Sequence, residues 1–175
     1  MILYFLRHAS AGSHVEDPAK DDRRPLDEEG ILQARYIGQM LANLDVQVEQ
    51  ILSSPLKRAR QTASLVANEL AFERAIDIDE ALRPQAQFAQ FQAMLSRLRD
   101  RDAVMVVGHN PSLAEFLGKT IAGAGGAQID FKKGAVAKVE INGRRGMLQW
   151  LATPKVARML QASRKLSSRP KTSRK

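Results

Sequence analysis

Two histidines sit where apolar runs stop. Leu6-Arg7-His8 closes a run that opens at Met1, and Gly108-His109-Asn110-Pro111 follows the run Ala103 to Val107. Open α/β sheets gather their chemistry in the crevice beyond strand C-termini, so two imidazoles at two strand ends mark a candidate site. Between them, Ser53-Ser54-Pro55-Leu56-Lys57-Arg58-Ala59-Arg60 places arginines on the first turns of a predicted helix. Guanidinium groups match phosphate oxygens with paired hydrogen bonds, so arginine beside histidine at such a rim suits phosphoryl chemistry. Taken singly, each group has an ordinary reading: a satisfied imidazole at a strand end, or a solvated arginine on a helix face. The joint set Arg7, His8, Arg58 and His109 is what points to a site. The third histidine, His14, lies in a polar stretch, and no spacing typical of metal ligands occurs. Neither a metal nor a cofactor is expected.

Strand and helix patterns alternate along the chain, which predicts an α/β fold: a single-domain, three-layer α/β/α sandwich around a mostly parallel, mixed sheet. Ile2 to Leu6 reads as a strand covered on both faces. A long polar loop from Ala9 to Pro25 follows, then a helix capped by Asp27, with Ala34, Ile37, Leu41 and Leu44 facing inward. Gln50 to Ser53 is a brief strand, and Pro55 suits the first turn of a helix burying Ala59, Ala63, Val66 and Leu70. Ile76 to Ile78 is a short strand. Phe88, Phe91, Leu95 and Leu98 mark another helix, Ala103 to Val107 a central strand, and Pro111 the start of a helix with Leu113, Phe116, Leu117 and Ile121 inward. Gly134 to Ile141 and Gly146 to Leu151 form a predicted hairpin around Asn142-Gly143, which would set Glu140 opposite Arg145.

Composition narrows the function classes. The 175 residues suit one domain with a full core, and the absence of cysteine excludes disulfides and thiolate nucleophiles. No apolar run approaches membrane-spanning length and no signal-peptide pattern opens the chain, so a cytoplasmic protein is expected. The net charge of +8 is local. Eight of the 27 basic residues fall between Lys155 and Lys175, where there is no acid, and residues 1–154 balance 19 bases against 19 acids. The expected division is a domain over 1–154 and a flexible basic tail over 155–175. Such a tail could meet an acidic partner; a membrane or nucleic acid is not expected.

The quoted residues also carry a resemblance. Leu6-Arg7-His8-Ala9-Ser10-Ala11 resembles the opening motif of the histidine phosphatase superfamily, in the form its small SixA-type phosphohistidine phosphatases use. Asp22-Arg23-Arg24-Pro25-Leu26 with Gly30, then Ser54-Pro55 with Arg58-Ala59 and Gln61-Thr62-Ala63, then Gly108-His109-Asn110-Pro111 resemble the later motifs in the same order. The resemblance runs from residue 2 to about 151. It implies a phosphoglycerate mutase-like fold, His8 as a nucleophile that becomes phosphorylated, and Arg7, Arg58 and His109 around the phosphoryl oxygens, which would bind phosphate or sulfate. On this reading His109 is an imidazolium, and His8 needs its other ring nitrogen fixed by a partner, often a backbone carbonyl.

Two departures from the wider superfamily bear on substrate. Larger members place a glutamate general acid after a mid-chain strand, and the best alignment here puts Ala81 at that position. Glu80, one residue away, and Asp22 are the candidate general acids, with Asp17 and Asp21 weaker. Alkyl phosphates need such an acid more than phosphohistidine does. The chain also lacks long insertions that would cap the site. The implied activity is removal of phosphate from a protein phosphohistidine, as on a histidine-containing phosphotransfer domain. The alternatives are a small-molecule phosphomonoesterase and a non-catalytic phosphate-recognition module.

Overall fold

The structure, a computed structural model, describes residues 1–143 and 145–167. In chain order the elements are β1 (Ile2–Arg7), α1 (Pro18–Asp22), α2 (Glu28–Asn43), β2 (Gln50–Ser53), α3 (Lys57–Glu69), β3 (Asp77–Ile78), a 3-10 turn (Glu80–Leu82), α4 (Phe88–Ser96), β4 (Ala103–Gly108), α5 (Ser112–Ala122), β5 (Val136–Asn142), β6 (Arg145–Ala152) and α6 (Pro154–Ser167). One six-stranded sheet runs in the order β3-β2-β4-β1-β5-β6. The first four are mutually parallel, while β5 runs antiparallel to β1 and β6 antiparallel to β5. The predicted α/β class and mixed sheet hold.

The period-2 alternation of a strand explains the three layers. Along β1, Leu3 and Phe5 point to one face, where α4 and α5 supply Phe91, Met94, Leu113, Phe116 and Leu117. Tyr4 and Leu6 point to the other, where α2 and α3 supply Ile37, Leu41, Ala59, Ala63 and Val66. With both faces covered, β1 and β4 read as unbroken apolar runs, and that is why they were legible.

Strand register then sets the site. Leu6 pairs with Val107, Arg7 with Gly108, and Ser53 with Val107. The C-terminal ends of β1, β4 and β2 are therefore level. The His8 N–H donates to the Gly108 carbonyl (3.0 Å) and the Ser54 N–H to the Val107 carbonyl (2.9 Å), so pairing extends one residue beyond each strand and delivers His8, His109 and Ser54 side by side.

Some expectations are corrected. The loop from Ala9 to Pro25 contains α1, started by Asp17, whose carboxylate accepts from the Ala19 N–H at 3.0 Å, and by Pro18 in the first turn. Pro55 precedes α3, whose N-cap is Leu56. Leu44 caps the C-terminus of α2 and is exposed. The hairpin turns one residue later than expected: Gly143 takes φ 66°, Asn142 pairs with Arg145, and Glu140 faces Met147. Glu140 instead accepts hydrogen bonds from Asn142 and Gln149.

The expected flexible tail is the largest departure. Pro154–Ser167 form α6, which buries Ala157 completely in the core beside α2; the Gln161 side chain donates to the Tyr36 carbonyl at 3.3 Å. Its basic residues masked a short apolar face. Residues 168–175 lie outside the described residues. No helix among the described residues is long and apolar enough to cross a membrane.

Candidate active site

His8 is the first residue past β1. Its ring is buried, and its Nδ1–H donates to the Ala9 carbonyl at 2.7 Å. A carbonyl only accepts, so this bond fixes the proton on Nδ1 and leaves the Nε2 lone pair free. The backbone is tied on both sides: the His8 carbonyl accepts from the Gly134 N–H (3.0 Å), and the Ala9 N–H donates to Thr62 Oγ1 (3.1 Å). The Thr62 hydroxyl in turn donates to the Arg58 carbonyl at 2.7 Å, one helical turn back along α3. A single helix thus holds both the His8 segment and Arg58.

His109 follows β4. Its ring centroid lies 4.8 Å from that of His8, the planes inclined at 48°. Its Nε2 lies 2.9 Å from Ser54 Oγ. Ser54 Oγ already accepts from the Leu56 N–H (3.4 Å), so its hydroxyl hydrogen is free to donate to Nε2; in that tautomer the ring proton sits on Nδ1, a buried nitrogen without a partner among the described residues.

The two arginines are anchored by one end each. Arg7 Nη1 donates to the Phe131 carbonyl (2.8 Å), which also accepts from Asn110 Nδ2 (2.9 Å). Arg58 Nη1 donates to the Asp21 carbonyl (2.8 Å) and lies 3.1 Å from the Asp21 carboxylate. The Nε atoms of both guanidiniums are buried and, among the described residues, unpaired. The two arginine Nε–H groups and His109 Nδ1 are thus three buried groups without partners among the described residues, and both arginine charges act on His8 and His109, a set suited to an oxyanion.

Loop α1 belongs to this site. Asp21 takes Arg24 Nε at 2.9 Å, the Val15 N–H at 3.2 Å and His14 Nδ1 at 3.1 Å, besides Arg58. Burial works to raise its pKa, but these hydrogen bonds and the charges of Arg58 and Arg24 win, holding the carboxyl well below its usual range. Asp21 is therefore an anion that orients Arg58, which corrects its reading as a candidate acid. Asp17 is spent on capping α1. Asp22 accepts from Arg83 Nη1 at 3.0 Å, and Glu80 pairs with Arg83 Nε. Arg83 lies between the two candidate general acids and engages an oxygen of each.

The loop from Ser10 to Gly12 is set by α2. Asp27 accepts from Ser10 Oγ (2.7 Å), the Gly12 N–H (2.8 Å) and the Gly30 N–H (2.7 Å). Gly30 lets the helix approach this backbone closely: a Cβ there would stand 1.9 Å from the Ser10 carbonyl oxygen.

Electrostatics keep both imidazoles neutral. Burial is the main cause, and the charges of Arg58, Arg7 and Lys133 add to it, lowering the His8 pKa to about 3 against the bond to Ala9. His109 falls to about 2, through burial first, with the adjacent His8 ring and the charges of Arg58 and Arg7 acting in the same direction. The expected imidazolium at His109 is thus a neutral imidazole. A measurable consequence follows. Unfolded histidine binds a proton below about pH 6.5, whereas these two resist protonation until far lower, so folding expels protons and stability falls as pH falls. The slope is about 1.4 kcal/mol per pH unit for each ring, or about 4 kcal/mol for the pair between neutral pH and pH 5. Urea midpoints measured from pH 7.5 to 5 should drop accordingly, and half as steeply in His109→Asn. A flat profile would contradict two neutral buried imidazoles.

The sequence pointed to Arg7, His8, Arg58 and His109, and the structure gathers all four. It adds Ala9, Ser54, Thr62 and Asp21 as the groups that orient them. Thr62 stands four residues after Arg58, the spacing of a hydroxyl bonding back along a helix, and this signal was available.

The fold and site define a phosphatase family: the chain belongs to the histidine phosphatase superfamily, and its branch 1 pattern matches residues 3–86. The architecture is the phosphoglycerate mutase-like one that the sequence led us to expect. Among relatives, an uncharacterized protein of Picosynechococcus sp. is 37% identical over 139 residues, 78% of this chain and 82% of that one. The phosphohistidine phosphatase SixA of Escherichia coli K12 is 26% identical over 165 residues, 93% of this chain and 99% of the relative. A structure of the protein histidine phosphatase SixA with tungstate superposes with a TM-score of 0.78 at 26% identity, covering 89% of this chain and 98% of that one.

Proposed function

We propose that the protein removes the phosphoryl group from phosphohistidine on a protein, such as a histidine-containing phosphotransfer domain, through a phosphohistidine intermediate on His8. The observation that carries this reading is the His8 ring: Nδ1–H held by the Ala9 carbonyl, Nε2 free, and buried donors of Arg7, Arg58 and His109 around it. Nε2 attacks phosphorus, a new P–N bond forms, and the P–N bond to the substrate imidazole breaks. Water then attacks the phosphorylated His8, which releases inorganic phosphate and restores the free ring. Charge spreading over the equatorial oxygens in each step is met by donors already in place.

Arg83 supports the choice of a P–N substrate. An alkyl phosphate leaves as a strongly basic alkoxide and needs a proton donor, yet Asp22 and Glu80 each have an oxygen engaged by Arg83. Phosphohistidine protonated on its other ring nitrogen leaves as neutral imidazole, whose conjugate acid has a pKa of about 6.5. The likeness to SixA proteins agrees with this reading.

The test compares purified protein on a phosphohistidine-bearing phosphotransfer domain and on an alkyl phosphomonoester. The expected kcat/KM is at least about 100-fold higher for the domain, since a general acid contributes about 10²–10⁴ to ester cleavage. Faster turnover of the ester would replace this reading with a small-molecule phosphomonoesterase. Inertness toward both would leave a phosphate-recognition module.

A further inference from the structure

Beside the site, a groove of about 670 Å³ runs along the exposed side of the α3 N-terminus toward the sheet edge. Its walls include Asp22, Arg23, Lys57, Arg60, Ile76 and Ile78. Asp22 is paired with Arg83, whereas Arg23, Lys57 and Arg60 form no ion pair among the described residues. The groove therefore carries uncompensated positive charge. Ile78 is 47% exposed and Ile76 partly buried, so an apolar strip lies against these cations.

The groove is joined to the chemistry by covalent neighbours. Lys57 precedes Arg58 on α3, and Asp22 follows Asp21, the residue that grips Arg58. A phosphoryl group needs only the buried donors and would not reach out to Lys57, Arg60 and the isoleucines together. A larger partner would. An apolar strip edged by charges is the anatomy of a protein contact. It offers no aromatic platform of the kind that holds single-stranded nucleic acid.

We propose that this groove docks the substrate protein, and that Lys57 and Arg60, with Arg23, select a phosphohistidine flanked by acidic side chains. The proposal rests on the phosphohistidine-protein reading above and deepens it. The cations act on encounter and orientation, not on the bond being broken, because rim charges change association rates and salt dependence more than they change chemistry. The apolar strip sets the partner's register once it has landed.

The experiment uses the full chain and the double variant Lys57→Gln/Arg60→Gln. One substrate is a histidine-phosphorylated phosphotransfer domain with acidic residues around its histidine; the other is free phosphohistidine. The expected result is a fall of about 10-fold in kcat/KM on the domain, carried by KM, from two rim pairs of the strength such exposed contacts have. In about 0.5 M salt the difference should largely vanish, because the Debye length is then only a few ångström. Free phosphohistidine should be turned over within two-fold of wild type. A domain with those acids neutralised should be poor for the wild type and no poorer for the variant.

Equal losses on both substrates would overturn the proposal, since the effect would then act through the site itself. Unchanged turnover of the domain by the variant would overturn it while leaving the phosphohistidine reading intact. A wild-type protein that left every phosphohistidine domain untouched would sink both.

Discussion

His8→Asn is expected to lower turnover of phosphohistidine by at least about 10⁴-fold, the scale on which removal of a covalent nucleophile is felt. Asparagine keeps a side-chain N–H that reaches for the Ala9 carbonyl, so the local backbone has its partner, but it brings no unprotonated ring nitrogen to the site. Rapid quenching with labelled substrate should trap an acid-labile, alkali-stable phosphoryl group on the wild type and none on the variant. Between pH 7.5 and pH 5 the variant should lose less stability than wild type, because one ring held neutral by burial and by the neighbouring arginines has been removed. A loss of activity with that gentler fall of stability toward acid would separate a missing nucleophile from a misfolded protein. If the variant still formed the adduct, the acceptor would be the neighbouring ring, His109, 4.8 Å away.

Legibility in the sequence followed how each residue is fixed. β1 and β4 are covered on both faces, so their composition alone declares them, and Arg7, His8 and His109 stand at or just past their ends. His8 and His109 were legible because strand ends in a parallel sheet are a place, whatever the loops do. The register that makes these ends level was not, since it depends on pairing between segments about a hundred residues apart. Nor was Asp21. One carboxylate among four in a polar stretch gives no sign that α1 will bury it against an arginine from another helix. The α6 error has a related cause. Eight basic residues suggested a solvated tail, but one buried alanine and a helical start at Pro154 are enough to dock Pro154–Ser167 on α2. The hairpin failed by a single residue, because Asn142-Gly143 marks a turn without saying which of the two takes the corner.

Arg58→Met should separate the two jobs held by one guanidinium. Arg58 spends Nη1 on the carbonyl and carboxylate of Asp21 and keeps a buried Nε for the site. Methionine fills the same space with no donor. Loss of a preorganised donor to the transferring phosphoryl group should lower kcat by about 10²–10³-fold. Orthophosphate or tungstate should bind the variant correspondingly less tightly, which isothermal titration would read. Arg58→Lys should recover little of this, because an ammonium cannot hold Asp21 and present a second fixed donor at once. Stability should fall as well. The Asp21 carboxylate is buried, and losing one cation costs about 3 kcal/mol where a buried pair is broken, with Arg24 limiting the damage. The deficit follows the anion left behind, so Arg58→Met/Asp21→Asn should restore most of the urea midpoint. It should restore none of the turnover, since the missing donor is still missing. Recovery of both would mean that Arg58 serves the site only by holding α1 in place, and that Arg7 and His109 alone receive the phosphoryl oxygens.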